Sequence, residues 1–353
     1  MSLLSNSAKV LIFVGTGGVG KTSTSAAVGY LAAQQGKKVL IITIDPAQRL
    51  KTTLELKESG EIQKLNLPDL KGELFASLLN SKKIFDDFVV RAAGSSQLAQ
   101  TILNNKLYIQ LSTTLSGSQE FTALELLYTN YKSNEFDLII VDTPPAQHAI
   151  DFLRAPQQLS TIFNEGVAKW FRDPKGTFWN KLFQTSTRQV LKILETFTGS
   201  FFMKELAAFF ASIQEWQLKI QTRTIDFHNL LTGPDCQFCL VTSFDEAKLL
   251  QSQNFYKELK KDGYLLSNIL VNKSKPIWLE NITQDVASQL SPEWKQFYNS
   301  VVSYYEKRNN DFQNQKAAFG SGITSYLIPE IDDEIKDVQT LKMFAELIGK
   351  VCT

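Results

Sequence analysis

Cysteine and histidine are nearly absent. Three cysteines among 353 residues cannot build a disulfide framework, and their scarcity suits a reducing compartment. The two histidines, His148 and His228, stand far apart and form no paired-histidine motif, which disfavours hydrolases built on several histidine ligands. Charge of one sign is not in excess: 37 Lys+Arg face 36 Asp+Glu, a net +1, so no global lure for nucleic acid or an anionic membrane exists. No apolar run reaches the roughly 18 residues of a membrane span. The apolar stretch Val10–Val14 follows no basic region and is too short for a signal peptide. These absences predict a cytoplasmic chain with no membrane span and no nucleic-acid partner.

What is present is an apolar fraction of 43% beside 21% charged residues, which excludes wholesale disorder. The length fits two domains, or one large α/β domain with an insertion. Short β-branched runs alternate with helical patterns. Strands are predicted at Lys9–Val14, Lys38–Ile44, Glu73–Leu79, Phe136–Val141, Gln237–Thr242, Tyr264–Val271 and Thr324–Ile328. Helices are predicted at Thr22–Gln35, Ser81–Ala93, Phe121–Tyr131, Asp245–Lys261, Pro292–Arg308 and Ile335–Lys350. Strands buried on both faces and joined by helices make a mostly parallel, doubly wound sheet. The alternation stops over 151–231, which holds 11 of the 24 phenylalanines and three of the five tryptophans. The predicted organisation is an α/β core in two parts, 1–150 and 232–353, with a helical insertion at 151–231.

Gly15-Thr16-Gly17-Gly18-Val19-Gly20-Lys21-Thr22 fits GxxxxGK[ST] between a strand and a helix. Glycines let backbone N–H groups approach phosphate oxygens, and the following helix offers its positive end. Lys21 would reach the β- and γ-phosphates and the Thr22 hydroxyl would ligate Mg²⁺. The same glycines fit a dinucleotide fingerprint, with Asp45 after the next strand, but a lysine and a metal-binding hydroxyl serve no purpose there.

Asp45 follows KVLIITI and Asp142 follows FDLIIV. Both would reach the carboxyl edge of a parallel sheet, where the glycine loop also lies. A carboxylate ending a buried strand needs a partner. Mg²⁺ and its waters supply one for Asp142, and Asp45 would orient or deprotonate an attacking water. A helix N-cap is the plainer reading of either residue.

GTGGVGKTSTSAA, TIDPAQRL and VDTPPAQHAIDFLRAP together resemble the ArsA-type ATPases, which include arsenical-pump ATPases and the guided-entry ATPases that deliver tail-anchored membrane proteins. These stand with MinD/ParA proteins among the deviant-Walker P-loop ATPases. GSQEFTALELLY at 117–128 and ILVNK at 269–273 resemble the bacterial ArsA-like branch. The resemblance covers about residues 9–350. It implies ATP/ADP and Mg²⁺ as cofactors and a loop of Gly17, Gly18, Val19, Gly20, Lys21, Thr22 and Ser23 around the phosphates. Lys21 and Asp45 become the catalytic pair, with Asp45 as the switch I aspartate. Asp142 becomes the switch II aspartate, holding the metal through water, with Thr22 as the direct ligand. Asn272 is implied as the adenine-reading amide and Pro329 as part of the loop flanking adenine; a strand-end turn and a plain turn proline are the alternatives. His148 falls in the switch II extension, where a local hydrogen bond competes with a sensing role.

Two departures stand out. The family lysine that crosses a dimer to the partner's nucleotide is replaced by Thr16. The implied partners are therefore a second copy of the chain or a lysine-bearing paralogue; Arg49 is the candidate substitute cation. Cys236 and Cys239 have the CxxC spacing of a shared zinc, but Cys239 falls inside a predicted strand, where neighbours point to opposite faces. Zinc is not expected, nor is an arsenite trap.

Phe202, Leu206, Phe209, Ile213, Trp216 and Ile220 form one helical stripe in the insertion. A bundle core or dimer seam competes with a groove for an apolar client helix; the single Met203 weakens an adaptable groove. The function expected is a Mg²⁺-dependent ATPase of the ArsA type, whose hydrolysis cycles a dimer and its helical subdomain between conformations to bind or target an apolar protein segment. The alternatives are a nucleotide-gated adaptor with little turnover and a MinD/ParA-like positioning ATPase.

Overall fold

The computed structural model describes residues 3–4, 8–44, 54, 56, 61–93, 95–105, 108–109, 117–145, 149–150, 152–154, 214–282, 287, 289–320 and 322–352. The chain divides into two compact units. One comprises Met1–Leu78, Leu127–Ile150 and Leu230–Thr353; the other comprises Leu79–Leu126 and Asp151–Asn229.

The first unit is built on a sheet of eight strands: β1 (Val10–Gly15), β2 (Lys38–Thr43), β3 (Gln63–Leu65), β4 (Glu73–Leu78), β5 (Leu138–Asp142), β6 (Cys236–Thr242), β7 (Leu266–Pro276) and β8 (Thr324–Glu330). Their spatial order is β3-β4-β2-β5-β1-β6-β7-β8. Every neighbouring pair is parallel except β3 with β4. The fold is thus the expected mostly parallel α/β sheet of a P-loop NTPase.

The central strands are apolar on both faces because both are covered. Leu11, Phe13, Val39, Ile41, Leu138, Ile140, Cys239 and Val241 share one core with α1 (Lys21–Gln34) and α9 (Val338–Val351). The alternate residues Val10, Ile12, Val14, Leu40 and Ile42 are equally buried. Period-two alternation therefore separates two buried faces rather than core from solvent. Leu249 and Leu259 are buried residues of α6 (Glu246–Lys261), which packs on β6 and β7.

Predicted strands fall within two residues of those observed, apart from β7, which runs five residues further than Tyr264–Val271, to Pro276. The short polar β3 was not anticipated: three residues on an edge bury too little to leave a pattern. The last helix starts later than Ile335, at Val338, because Asp337 closes it with a capping box to Thr340. The helix at Pro292 continues past Arg308 to Lys316, giving α8 (Pro292–Lys316).

The second unit is helical over its described residues. It holds α2 (Ser81–Ala92), α3 (Ser96–Leu103), the first part of α4 (Gly117–Ser133) and most of α5 (Gln214–Thr232). In the first unit, the short α7 (Trp278–Asn281) follows β7. Glu125 of α4 is fully buried and meets Arg91 of α2 at 3.1 Å and Arg223 of α5 at 3.0 Å. Three helices are thereby joined at one carboxylate. Of the predicted apolar stripe, Phe202, Leu206, Phe209 and Ile213 lie outside the described residues. Trp216 and Ile220 fall on α5, but their side chains also lie outside the described set.

Candidate functional site

At the carboxyl edge of the sheet, β1 runs into the glycine loop and the loop into α1. Gly15 faces Val241 across the β1–β6 register. A Cβ there would stand 2.2 Å from the Val241 carbonyl oxygen, so the close approach admits glycine alone. Gly20 takes φ +83°, a left-handed conformation that other residues rarely adopt, and it is the N-cap of α1 with no side-chain cap. By contrast, Asn80, Asp245 and Asp337 cap α2, α6 and α9 with their side chains. The N–H groups at the start of α1 are thus left facing the loop without a side-chain acceptor, the arrangement that receives an anion.

Lys21 is buried, while Thr22 and Ser23 are half-buried in the first turn. Thr24 and Ser25 turn their hydroxyls inward: Thr24 Oγ1 donates to the Gly20 carbonyl at 2.8 Å and Ser25 Oγ to that of Thr22 at 2.9 Å.

Asp142 closes β5, with 0% of its surface exposed. It pairs in register with Phe13 of β1 and Thr43 of β2, so it sits between the strand that feeds the loop and the strand that leads to Asp45. The Thr43 hydroxyl donates to Asp142 Oδ2 at 3.2 Å. Behind it, Thr143 donates its hydroxyl to the Phe13 carbonyl at 2.8 Å, and the Ile44 N–H donates to the Asp142 carbonyl at 3.1 Å. Asp142 thus stands at the sheet edge with a paired strand on each side.

From the other side, β7 brings Asn272. Its Nδ2 donates to the Val19 carbonyl at 2.8 Å, under the loop. Lys273 follows at φ 55°, where the β7–β8 register shifts, and its Nζ reaches Glu330 at 2.9 Å. Pro329, on β8, is buried. Gly18, Gly20, Ser23, Asn272, Lys273 and Pro329 line a common cleft of about 500 Å³, whose rim includes Asp332, Asp333 and Glu334. The loop, Asn272 and Pro329 thus border one space.

The profile of the anion-transporting ATPases, the ArsA ATPases, matches residues 8–350. The chain belongs to this family. It is an ArsA-type ATPase, and as such uses a nucleotide. A candidate arsenical pump-driving ATPase of Aquifex aeolicus is 23% identical over 96% of this chain and 78% of its own length. The ATPase GET3 of Candida glabrata is 24% identical over 99% of this chain and 92% of its own length. The arsenical pump-driving ATPase of Acidiphilium multivorum is 33% identical, but over 46% of this chain and 28% of its own length.

Several predicted residues of this ArsA-type ATPase lie outside the described set: Asp45, Arg49 and His148. Thr16 is described. It is 95% buried by its 5% exposure, and its hydroxyl has no hydrogen-bond partner among the described residues. Cys236 and Cys239 are both buried and unoxidised on β6. Burial pushes both thiols up, Cys239 to about 12. Cys239 belongs to the core shared with α1, and Cys236 does not. Among the described residues no cluster of three metal-ligating side chains occurs, and no helix is long and apolar enough to cross a membrane.

Sequence reasoning missed Thr43, Thr143 and the bond from Asn272 to the Val19 carbonyl. Thr43 carried a signal: it is the polar residue inside the apolar run KVLIITI. Thr143 did not, because a threonine after a strand-end aspartate has many uses.

Proposed function

We propose that this ArsA-type ATPase is a Mg²⁺-dependent ATP phosphohydrolase. The observation that carries the reading is the loop with its neighbour: a left-handed Gly20, an α1 start with no side-chain cap, and a buried Asp142 that closes β5 between β1 and β2. Loop amides from Gly17 to Ser23 bind the phosphates, and Lys21 neutralises charge on the transferring group. The available donors suit Mg²⁺: a threonine hydroxyl and a carboxylate are hard oxygen ligands, and few protein ligands are wanted because the ion keeps waters. Thr22 would hold it directly and Asp142 through water. When bound, the ion supplies charge neutralisation at the β- and γ-oxygens.

Asp45 orients the attacking water and accepts its proton as the new oxygen–phosphorus bond forms. The bond to the ADP oxygen breaks in line, and ADP and phosphate leave. Asn272 and Pro329 flank the adenine. With one Nδ2 hydrogen given to Val19, the second and Oδ1 remain for adenine's acceptor and donor edge. The chain works as a cytoplasmic dimer, with a second copy or a lysine-bearing paralogue, and its hydrolysis drives the 151–231 block between conformations that bind and release an apolar helical client.

Thr16 favours a second reading, a nucleotide-gated adaptor with little turnover. A short buried side chain extends no cation from the loop toward a partner's site. The two readings separate in one experiment. Fluorescent-nucleotide binding and single-turnover hydrolysis are measured for the wild type, Asp45→Asn and Thr16→Lys. The ATPase reading expects Asp45→Asn to bind ATP and fail to turn over. Unchanged turnover removes Asp45 from the reaction. A wild type that binds ATP tightly, turns over slowly and is activated by Thr16→Lys supports the adaptor.

A further inference from the structure

Among the described residues, three that are not glycine take a left-handed backbone: Asp69, Asn134 and Lys273. Aspartate and asparagine tolerate it, because a short polar side chain can bond locally. Lysine has no such relief, so φ 55° at Lys273 holds strain. That strain lies at the candidate nucleotide cleft, which Lys273 lines together with Asn272, Pro329 and Glu330.

The strand pair explains the conformation. β7 and β8 keep register as far as Asn272 opposite Ile328, and the pairing resumes with Pro276 opposite Glu330. Between these points Lys273, Ser274 and Lys275 stand against Pro329 alone. Pro329 has no N–H to give the ladder, and β7 bulges where it sits. Bulges of this kind re-aim side chains and recur beside active sites. An ion pair bridges the break, Lys273 Nζ to Glu330 Oε1 at 2.9 Å.

The order of residues gives the pair its use. Asn272 immediately precedes Lys273, and Pro329 immediately precedes Glu330. Tying Lys273 to Glu330 therefore fixes the spacing between Asn272 and Pro329. With side chains 56% and 38% exposed, the pair adds little stability of its own, too little to offset a left-handed lysine. Position is what it supplies. The orientation of Asn272 is fixed as well, because Nδ2 donates to the Val19 carbonyl. One N–H and one oxygen then face the base at a set distance from Pro329. Adenine can offer an acceptor beside a donor, where the matching edge of guanine offers two acceptors.

We propose that the Lys273–Glu330 ion pair is a positioning pair: it sets the gap between Asn272 and Pro329 and so makes this ATPase prefer adenine to guanine nucleotides. The proposal rests on the reading of Asn272 and Pro329 as flanking adenine.

The test is competition binding on the full chain with Mg²⁺, in which ATP or GTP displaces a fluorescent ADP. Lys273→Met and Glu330→Gln are each expected to lower ATP affinity about tenfold, the scale of one hydrogen bond to the base, and to leave GTP affinity within about twofold. Lys273→Arg keeps the pair and should keep the ATP:GTP ratio, and the exchange of Lys273→Glu with Glu330→Lys should restore it. Lys273→Gly relieves the left-handed strain while removing the pair, so it is expected to melt no lower than the wild type and still to lose the ratio. Equal losses for ATP and GTP would make the pair merely structural and overturn the proposal. So would a wild-type ratio in Lys273→Met, Glu330→Gln and Lys273→Gly. Tighter binding of both nucleotides by Glu330→Gln would overturn it too, by making Lys273 a phosphate ligand that Glu330 restrains. Asn272→Ala tests the underlying reading separately. If it abolishes the ratio and the pair variants do not, the pair fails alone; if it leaves the ratio unchanged, the adenine reading fails first.

Discussion

The side-chain amide of Asn272 donates to the Val19 carbonyl at 2.8 Å and so ties β7 to the phosphate loop across 253 residues of chain. Gly20 leaves the room for it: a Cβ there would lie 2.4 Å from the same Nδ2. The loop's shape therefore depends on a strand that follows it by most of the chain's length.

Asn272→Leu keeps the bulk and removes the donor, leaving the Val19 carbonyl without it. The expected loss of stability is about 1–3 kcal/mol in urea denaturation, with nucleotide affinity falling in parallel. Gly20→Ala is expected to do the same through displaced Asn272. Wild-type affinity in both variants would separate the amide from the loop.

Much of the fold was legible because parallel strands buried on both faces read as apolar runs. KVLIFV, KVLIIT and FDLIIV each mark a strand within two residues. β3 was not legible, since three residues on an antiparallel edge carry no period. Nor was the Asn272–Val19 bond: resemblance pointed to Asn272 as a nucleoside contact, while its hold on the loop comes from the β6–β7–β8 order, which no local pattern encodes. Glu125 was hidden for a related reason. Within GSQEFTALELLY it looks like any helix-face acid, and only the meeting of three helices reveals its arginines.

At Glu125, removing both cations from a fully buried carboxylate should be costly. Arg91→Met with Arg223→Met is expected to lower stability by about 3–5 kcal/mol. Adding Glu125→Leu should recover part of it, because an apolar group replaces the buried charge. Equilibrium urea melts of the double and triple variants decide this. A double variant as stable as the wild type would show that Glu125 contributes no folding energy through its arginines.

Asp337 sets an acid-side dependence. The Thr340 N–H bonded to its carboxylate holds its pKa below the ordinary aspartate value. A depressed folded pKa contributes stability that is complete above the unfolded value and is lost as pH falls through the folded one. Asp337→Asn keeps a capping side chain but cannot titrate there. The variant's melting temperature is expected to decline less steeply than the wild type's below about pH 4. Parallel declines would remove Asp337 from the acid limb.

Phosphate release by the purified chain is the most direct test of the central claim, that the loop Gly17–Ser23 with Asp142 makes a Mg²⁺-dependent ATPase site. The account predicts release with Mg·ATP, none when EDTA removes the metal, and a fall of about 10²–10³ in Lys21→Ala, the scale for one lost stabiliser of transition-state charge. Release that persists undiminished in Lys21→Ala, or that ignores EDTA, would contradict it.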